Sequence, residues 1–103
     1  KKIITPDYGC CKKILHSYHR YVIRVKKRKS LMKYLKSNGI ETKIHYEKNI
    51  HRQRSIFKKL KIPFKLDQTD KLSLETLSLP INQFLSLNHV KYVTKKINEF
   101  YNK

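Results

Sequence analysis

Glycine and tryptophan are what this chain most lacks. Of its 103 residues, two are glycine and none is tryptophan. Phosphate-binding loops and dinucleotide folds are built from clustered glycines, so both are excluded on glycine count. Acid is scarce as well, with seven Asp and Glu against 25 Lys and Arg. The seven are scattered, so no paired carboxylates for acid–base work stand out. The two cysteines, Cys10 and Cys11, are adjacent. Adjacent cysteines rarely bond to each other, because the geometry is strained, and they form no Cys-x-x-Cys pair. A reduced, cytoplasmic setting is the expectation. No apolar run approaches the ~20 residues that span a bilayer. The start, Lys1-Lys2 with Pro6 and Asp7 close behind, lacks a secretory-signal pattern. The chain reads as soluble and intracellular, one domain or part of one.

What is present in excess is positive charge, a formal +18. Such a charge attracts polyanions: nucleic acid, a membrane surface or a phosphate-bearing ligand. The lysines, however, run from Lys1 to Lys103 rather than forming one block, and they far outnumber arginine. Nucleic-acid readers concentrate arginine at base and phosphate contacts. Codon composition accounts for the excess better than a binding face does. Tyr18-His19-Arg20-Tyr21 could stack on single-stranded nucleic acid, but a buried strand with a charged rim is the preferred reading.

Residues 1–15 form an irregular lead-in, broken by Pro6 and Gly9. Residues 17–25 are rich in aromatic and β-branched types and read as a strand. Apolar residues fall on both of its faces, as in a strand inside a sheet. Lys26 to Lys29 form a basic turn, Ser30 is the candidate cap, and Leu31, Tyr34 and Leu35 follow at helical spacing. Asn38-Gly39 ends that helix. Ile40 to Tyr46 reads as a second strand, with Ile40, Thr42, Ile44 and Tyr46 on the core face and Glu41, Lys43 and His45 on the other. His45 is thereby directed at solvent, a ligand or a partner. Residues 51–60 read as a helix packing through Ile56, Phe57 and Leu60, with a break at Ile62-Pro63-Phe64. A helix over 68–76 and a short strand over 77–79, ended by Pro80, come next. Ser86 caps the last helix, whose buried face is Val90, Val93, Ile97 and Phe100.

This order predicts an α+β fold: a small mixed or antiparallel sheet of about three strands, with helices mainly on one face. Parallel placement of the first two strands would let the third lie antiparallel beside them. The uncovered face would need a partner. Residues 39–57 bring His45 and His51 towards one loop. His16 and His19 point to opposite sides of a strand, and no carboxylate or cysteine completes a zinc-type set. No metal is expected. Nothing here makes a complete active site with nucleophile, base and orienting group.

The run His19-Arg20-Tyr21-Val22-Ile23-Arg24-Val25, then Arg28, Leu31 to Leu35, Gly39-Ile40-x-Thr42-x-Ile44-His45-Tyr46 and His51-x-Gln53, resembles the C-terminal part of the DegT/DnrJ/EryC1/StrS aminotransferases. Leu77-Ser78-Leu79-Pro80-Ile81 and the final helix through Phe100-Tyr101 follow the same order, and the likeness covers residues 16–102. The family usually has prolines after His45-Tyr46, where this chain has Glu47-Lys48-Asn49-Ile50. The resemblance implies that residues 16–103 are the small C-terminal domain of a fold-type I pyridoxal-phosphate enzyme. Such enzymes move an amino group from glutamate to a nucleotide-linked keto-sugar, at an active site lying at a homodimer interface. It also implies that the Schiff-base lysine belongs to a large domain outside this chain, so that this chain alone is inactive. No residue here is assigned as catalytic. His45 and Tyr46 would approach the cofactor and substrate, with His51 at the rim, and local positive charge would suit a nucleotide diphosphate. The alternatives left open are a basic nucleic-acid-binding module and an orphan domain with a structural role.

Overall fold

The computed structural model describes residues 2–6, 17–57 and 65–102. Three strands make one antiparallel sheet in the order β1 (Ile3–Ile4), β2 (Tyr21–Val25), β3 (Thr76–Leu79). The central strand β2 sets Ile3 opposite Val25 on one side and Ile23 opposite Leu77 on the other. Side chains alternate across a strand, so one face of the sheet carries Tyr21, Ile23, Val25, Leu77 and Leu79. That face is covered by α1 (Arg28–Ser37) and α4 (Leu87–Asn102). Ile23, Val25 and Leu77 form one core with Leu31 and Leu35 of α1, Ile40, and Ile97 and Tyr101 of α4. The expected α+β class, with about three strands and helices mainly on one face, is what the chain adopts.

Several expectations about individual elements need correction. The strand expected over 17–25 begins at Tyr21, because Tyr18 has φ 49°, in the left-handed region that no strand residue adopts. The lead-in expected to be irregular contributes β1 at residues 3–4; residues 7–16, including Cys10, Cys11 and His16, lie outside the described residues. The strand expected over Ile40–Tyr46 is reduced to a single antiparallel bridge between Lys43 and Ser78, on the side of β3 away from β2. There the Lys43 and Ser78 backbones exchange bonds of 3.2 and 2.8 Å. Both β2 and this segment run antiparallel to β3, which lies between them.

The helix expected over 51–60 is a 3-10 turn at Ile50–Arg52 followed by the four-residue α2 (Arg54–Phe57); residues 58–64 lie outside the described residues. α3 spans Asp67–Glu75, one residue ahead of the expected range.

Two helix ends position the rest. α1 begins at Arg28, with Lys27 as its N-cap at φ 55°, so Ser30 lies inside the helix and does not cap it. Its C-terminus is a Schellman turn: Gly39 N–H donates to the Lys36 carbonyl and Ile40 N–H to the Leu35 carbonyl, at 3.0 and 2.9 Å. Gly39 has φ 74°, which glycine adopts without a Cβ penalty. Ile40 and Leu35, the pair that packs across such a turn, are both buried. At the start of α4, Ser86 caps as expected: its Oγ accepts from His89 N–H at 3.3 Å, and His89 Nδ1 accepts from Ser86 N–H at 3.2 Å. Val93, Ile97 and Phe100 face the core. Val90 does not, being 51% exposed; Tyr101 takes a core place instead, its hydroxyl donating to the Lys26 carbonyl.

Candidate functional site

The alternation that turns Ile23 and Leu77 towards the helices turns Val22 and Ser78 to the opposite face. Pairing with Ser78 places Lys43 alongside, and His45 follows two residues later. His45 Nδ1 lies 2.9 Å from Ser78 Oγ. Ser78 is buried beneath this contact, and the imidazole is half-buried. Together with His19, Arg20, Glu41, Lys43, Pro80 and Asn82 these residues line an open cleft of about 360 Å³.

Burial holds the His45 imidazole below its ordinary range, and the nearby cations Arg20 and Lys43 push it further the same way. The ring is therefore neutral at pH 7. Tyr46 stands edge-on to it, with ring centroids 6.0 Å apart, and the Arg20 guanidinium sits 5.5 Å from the Tyr46 centroid. Tyr46 is 70% exposed, contrary to the expectation that it shares the core face with Ile44. The backbone leaves the sheet after its one bridge, so strand parity no longer governs residue 46.

His51 belongs to a different cluster. Its Nε2 lies 2.8 Å from Asp70 Oδ1 on α3, and its side chain is 14% exposed. It lines a second cleft, of about 450 Å³, with Tyr46, Ile50, Leu66 and Thr69. Tyr46 thus touches both settings, whereas the two histidines are held by different partners. Sequence reasoning missed Ser78, Arg20 and Asp70 as members of these clusters. Ser78 carried a signal, an outward-facing polar residue between Leu77 and Leu79; Asp70, 19 positions from His51, carried none.

Neither cleft fits pyridoxal phosphate on its own. That cofactor needs a lysine for its aldehyde and partners for its ring and phosphate. The lysines lining the two clefts, Lys43 in the first and Lys48 in the second, are both exposed, and Lys43 lies 3.6 Å from Glu41. The buried unpaired polar atom among the described side chains, Arg28 Nε, serves neither cleft: Arg28 Nη1 donates to the Ser73 and Thr76 carbonyls where α3 ends. Among the described residues, no group of three His, Cys, Asp or Glu is placed to hold a metal ion. No helix among them is long and apolar enough to cross a membrane.

The described residues thus form an α+β unit with open clefts at His45 and at His51. The family model for the DegT/DnrJ/EryC1/StrS aminotransferase family matches residues 5–98, and the chain belongs to that family. Over 87 residues it is 38% identical to a protein of Geobacillus stearothermophilus named pleiotropic regulatory protein, covering 84% of this chain and 23% of that one. Over 85 residues it is 31% identical to the dTDP-3-amino-3,6-dideoxy-alpha-D-galactopyranose transaminase of Aneurinibacillus thermoaerophilus, covering 82% and 23%. A DegT DnrJ EryC1 StrS aminotransferase from Brucella abortus superposes with a TM-score of 0.74 at 29% identity, over 82% of this chain and 22% of that one. The aminotransferase TlmJ from Streptoalloteichus hindustanus shares the fold at TM-score 0.78 and 22% identity, over 95% and 26%. The chain spans less than a quarter of the length of the two sequence relatives.

Proposed function

We propose that residues 16–103, closed at the sheet edge by β1, act as the C-terminal small domain of a pyridoxal-phosphate-dependent nucleotide-sugar aminotransferase. The intact enzyme transfers an amino group from glutamate to a nucleotide-linked keto-sugar. It works as a cytoplasmic homodimer. The lysine and the cofactor cradle are supplied by a large domain, and this chain supplies one wall. His45 and Tyr46 form that wall at the substrate, and His51 stands at its rim. The observation that carries the reading is the family match over 5–98, joined to the 31% identity with a transaminase of a dTDP-linked sugar.

The role of the wall is to bind and orient. A neutral His45 ring, tied to Ser78, offers its other nitrogen to a polar group of the substrate. Tyr46 and Arg20 add an aromatic face and a cation beside it. No proton or covalent step is assigned to them.

The test uses two proteins. The isolated 103-residue chain, given cofactor, glutamate and a dTDP-linked keto-sugar, should give no amination above cofactor alone. Grafted in place of the matching quarter of the Aneurinibacillus enzyme, it should restore amination. Turnover by the isolated chain, or a folded but inactive graft, would count against the reading.

A further inference from the structure

The segment from His45 to Gln53 carries all three proposed site residues, His45, Tyr46 and His51, yet it contains one turn of 3-10 helix and no strand. It also lacks proline. Something else must hold it. Its side chains converge on one carboxylate. Asp70 accepts from Asn49 Nδ2 at 3.0 Å and from Arg52 Nη2 at 2.6 Å, with Arg52 Nε at 3.4 Å, and His51 Nε2 lies 2.8 Å away. Asn49 Nδ2 also reaches the carbonyl of Thr69, the residue before Asp70, at 3.1 Å.

Asp70 is itself fixed. It sits in the first turn of α3, its N–H donates to the Leu66 carbonyl at 2.9 Å, and a carboxylate is favoured at that end of a helix. Charge-assisted bonds are the stronger kind, and here three side chains of a four-residue stretch share one anion. Arg52 foremost, with Asn49 and His51, holds the Asp70 carboxyl well below the usual carboxylate range.

We propose that Asp70 is a positioning residue: it latches the 45–53 loop to α3 and so sets the orientation of Tyr46 against Arg20 and His45. The proposal rests on Tyr46 and His51 being site residues, but it is read out as loop order and not as turnover. The aminotransferase reading and the latch can therefore fail separately.

The experiment is amide hydrogen exchange and proton NMR on the 103-residue chain and its variants. In the unsubstituted chain the Arg52 and Gln53 amides, bonded to the Asn49 and Ile50 carbonyls, should be protected, and the Tyr46 ring should give cross-relaxation to His45 and Arg20. In Asp70→Ala those two amides should exchange at least tenfold faster and the Tyr46 cross-peaks should fade, while the Ile40 and Ser78 amides keep their rates. Asp70→Glu should recover both signals in part. Should Asp70→Ala not fold, His51→Gln/Arg52→Gln leaves α3 intact and carries the same expectation. Unchanged loop amides and Tyr46 cross-peaks would overturn the proposal. So would a uniform loss of protection across loop and core, or an unsubstituted chain with no dispersed amide spectrum.

Discussion

Beneath the sheet, Ile23, Val25 and Leu77 meet Leu31, Leu35, Ile97 and Tyr101 through apolar contact. Between residues 45 and 53 the means are reversed. Ile50 and Tyr46 face outward, while polar side chains bind the segment to Ser78 and Asp70. The first region depends on area removed from water, which is non-directional and tolerant of small shifts. The second depends on donors and acceptors placed to within a few tenths of an ångström. One region makes the unit fold, and the other gives it something to present.

The largest effect should come from breaking the apolar side. Leu35 is fully buried, lies in the last turn of α1, and packs with Ile40 across the Schellman turn. Leu35→Ala should cost about 2–5 kcal/mol, the range for a buried leucine that leaves a cavity. That is a large share of the ~5–15 kcal/mol available to a domain. A lowered urea midpoint with an unchanged slope would confirm it. A loss under 1 kcal/mol would mean that the helix-covered face does not carry the stability assigned to it.

Gly39→Ala sharpens the comparison at the junction of the two regions. Nothing lies within 4 Å of a Cβ built on Gly39, so the substitution adds no clash. The positive φ alone should cost about 1–2 kcal/mol. Gly39→Asn, which tolerates that conformation better, should cost less. Equal losses for the two in urea melts would show that steric crowding, and not φ, governs the turn.

What could be read from the sequence follows the same division. Spacing marked Leu31, Leu35, Val93 and Ile97 as packing residues because burial repeats with helix and strand period. Gly39 and Ser86 announced themselves by residue type. The strand expected over 40–46 failed for a different reason. Its alternation is real as far as Ile44, but pairing stops at the Lys43–Ser78 bridge: on one side Glu41 would fall opposite Pro80, past the end of β3 and without an N–H, and on the other the backbone has left the sheet by His45 although β3 continues to Thr76. Val90 was misplaced because the apolar residues of α4 continue past the core: Leu87 and Val90 are 78% and 51% exposed. Periodicity cannot say where the covering sheet stops. The candidate site was legible as His45-Tyr46, whereas its partners Ser78, Arg20 and Asp70 are set by tertiary placement.

The smallest effect concerns His45 and separates the polar region from the core by pH. The folded chain holds this imidazole below its ordinary value of 6.5, through burial first and the cations Arg20 and Lys43 after it. Below that ordinary value the unfolded chain binds the proton before the folded chain does, so stability falls with falling pH. The contribution is therefore whole above about pH 6.5 and is lost as pH drops through the lowered folded value. Glu41, which lines the same cleft, lies 3.6 Å from Lys43 and tempers the local positive charge. His45→Gln retains polar contact with Ser78 but does not titrate, so the slope of stability against pH between 5 and 6.5 should be shallower in the variant than in the parent. His16, His19, His51 and His89 are common to both proteins, so the difference isolates His45. Parallel slopes would mean that the ring is as free to protonate in the folded cleft as in the unfolded chain. The neutral His45 assigned to the proposed wall would then have no support.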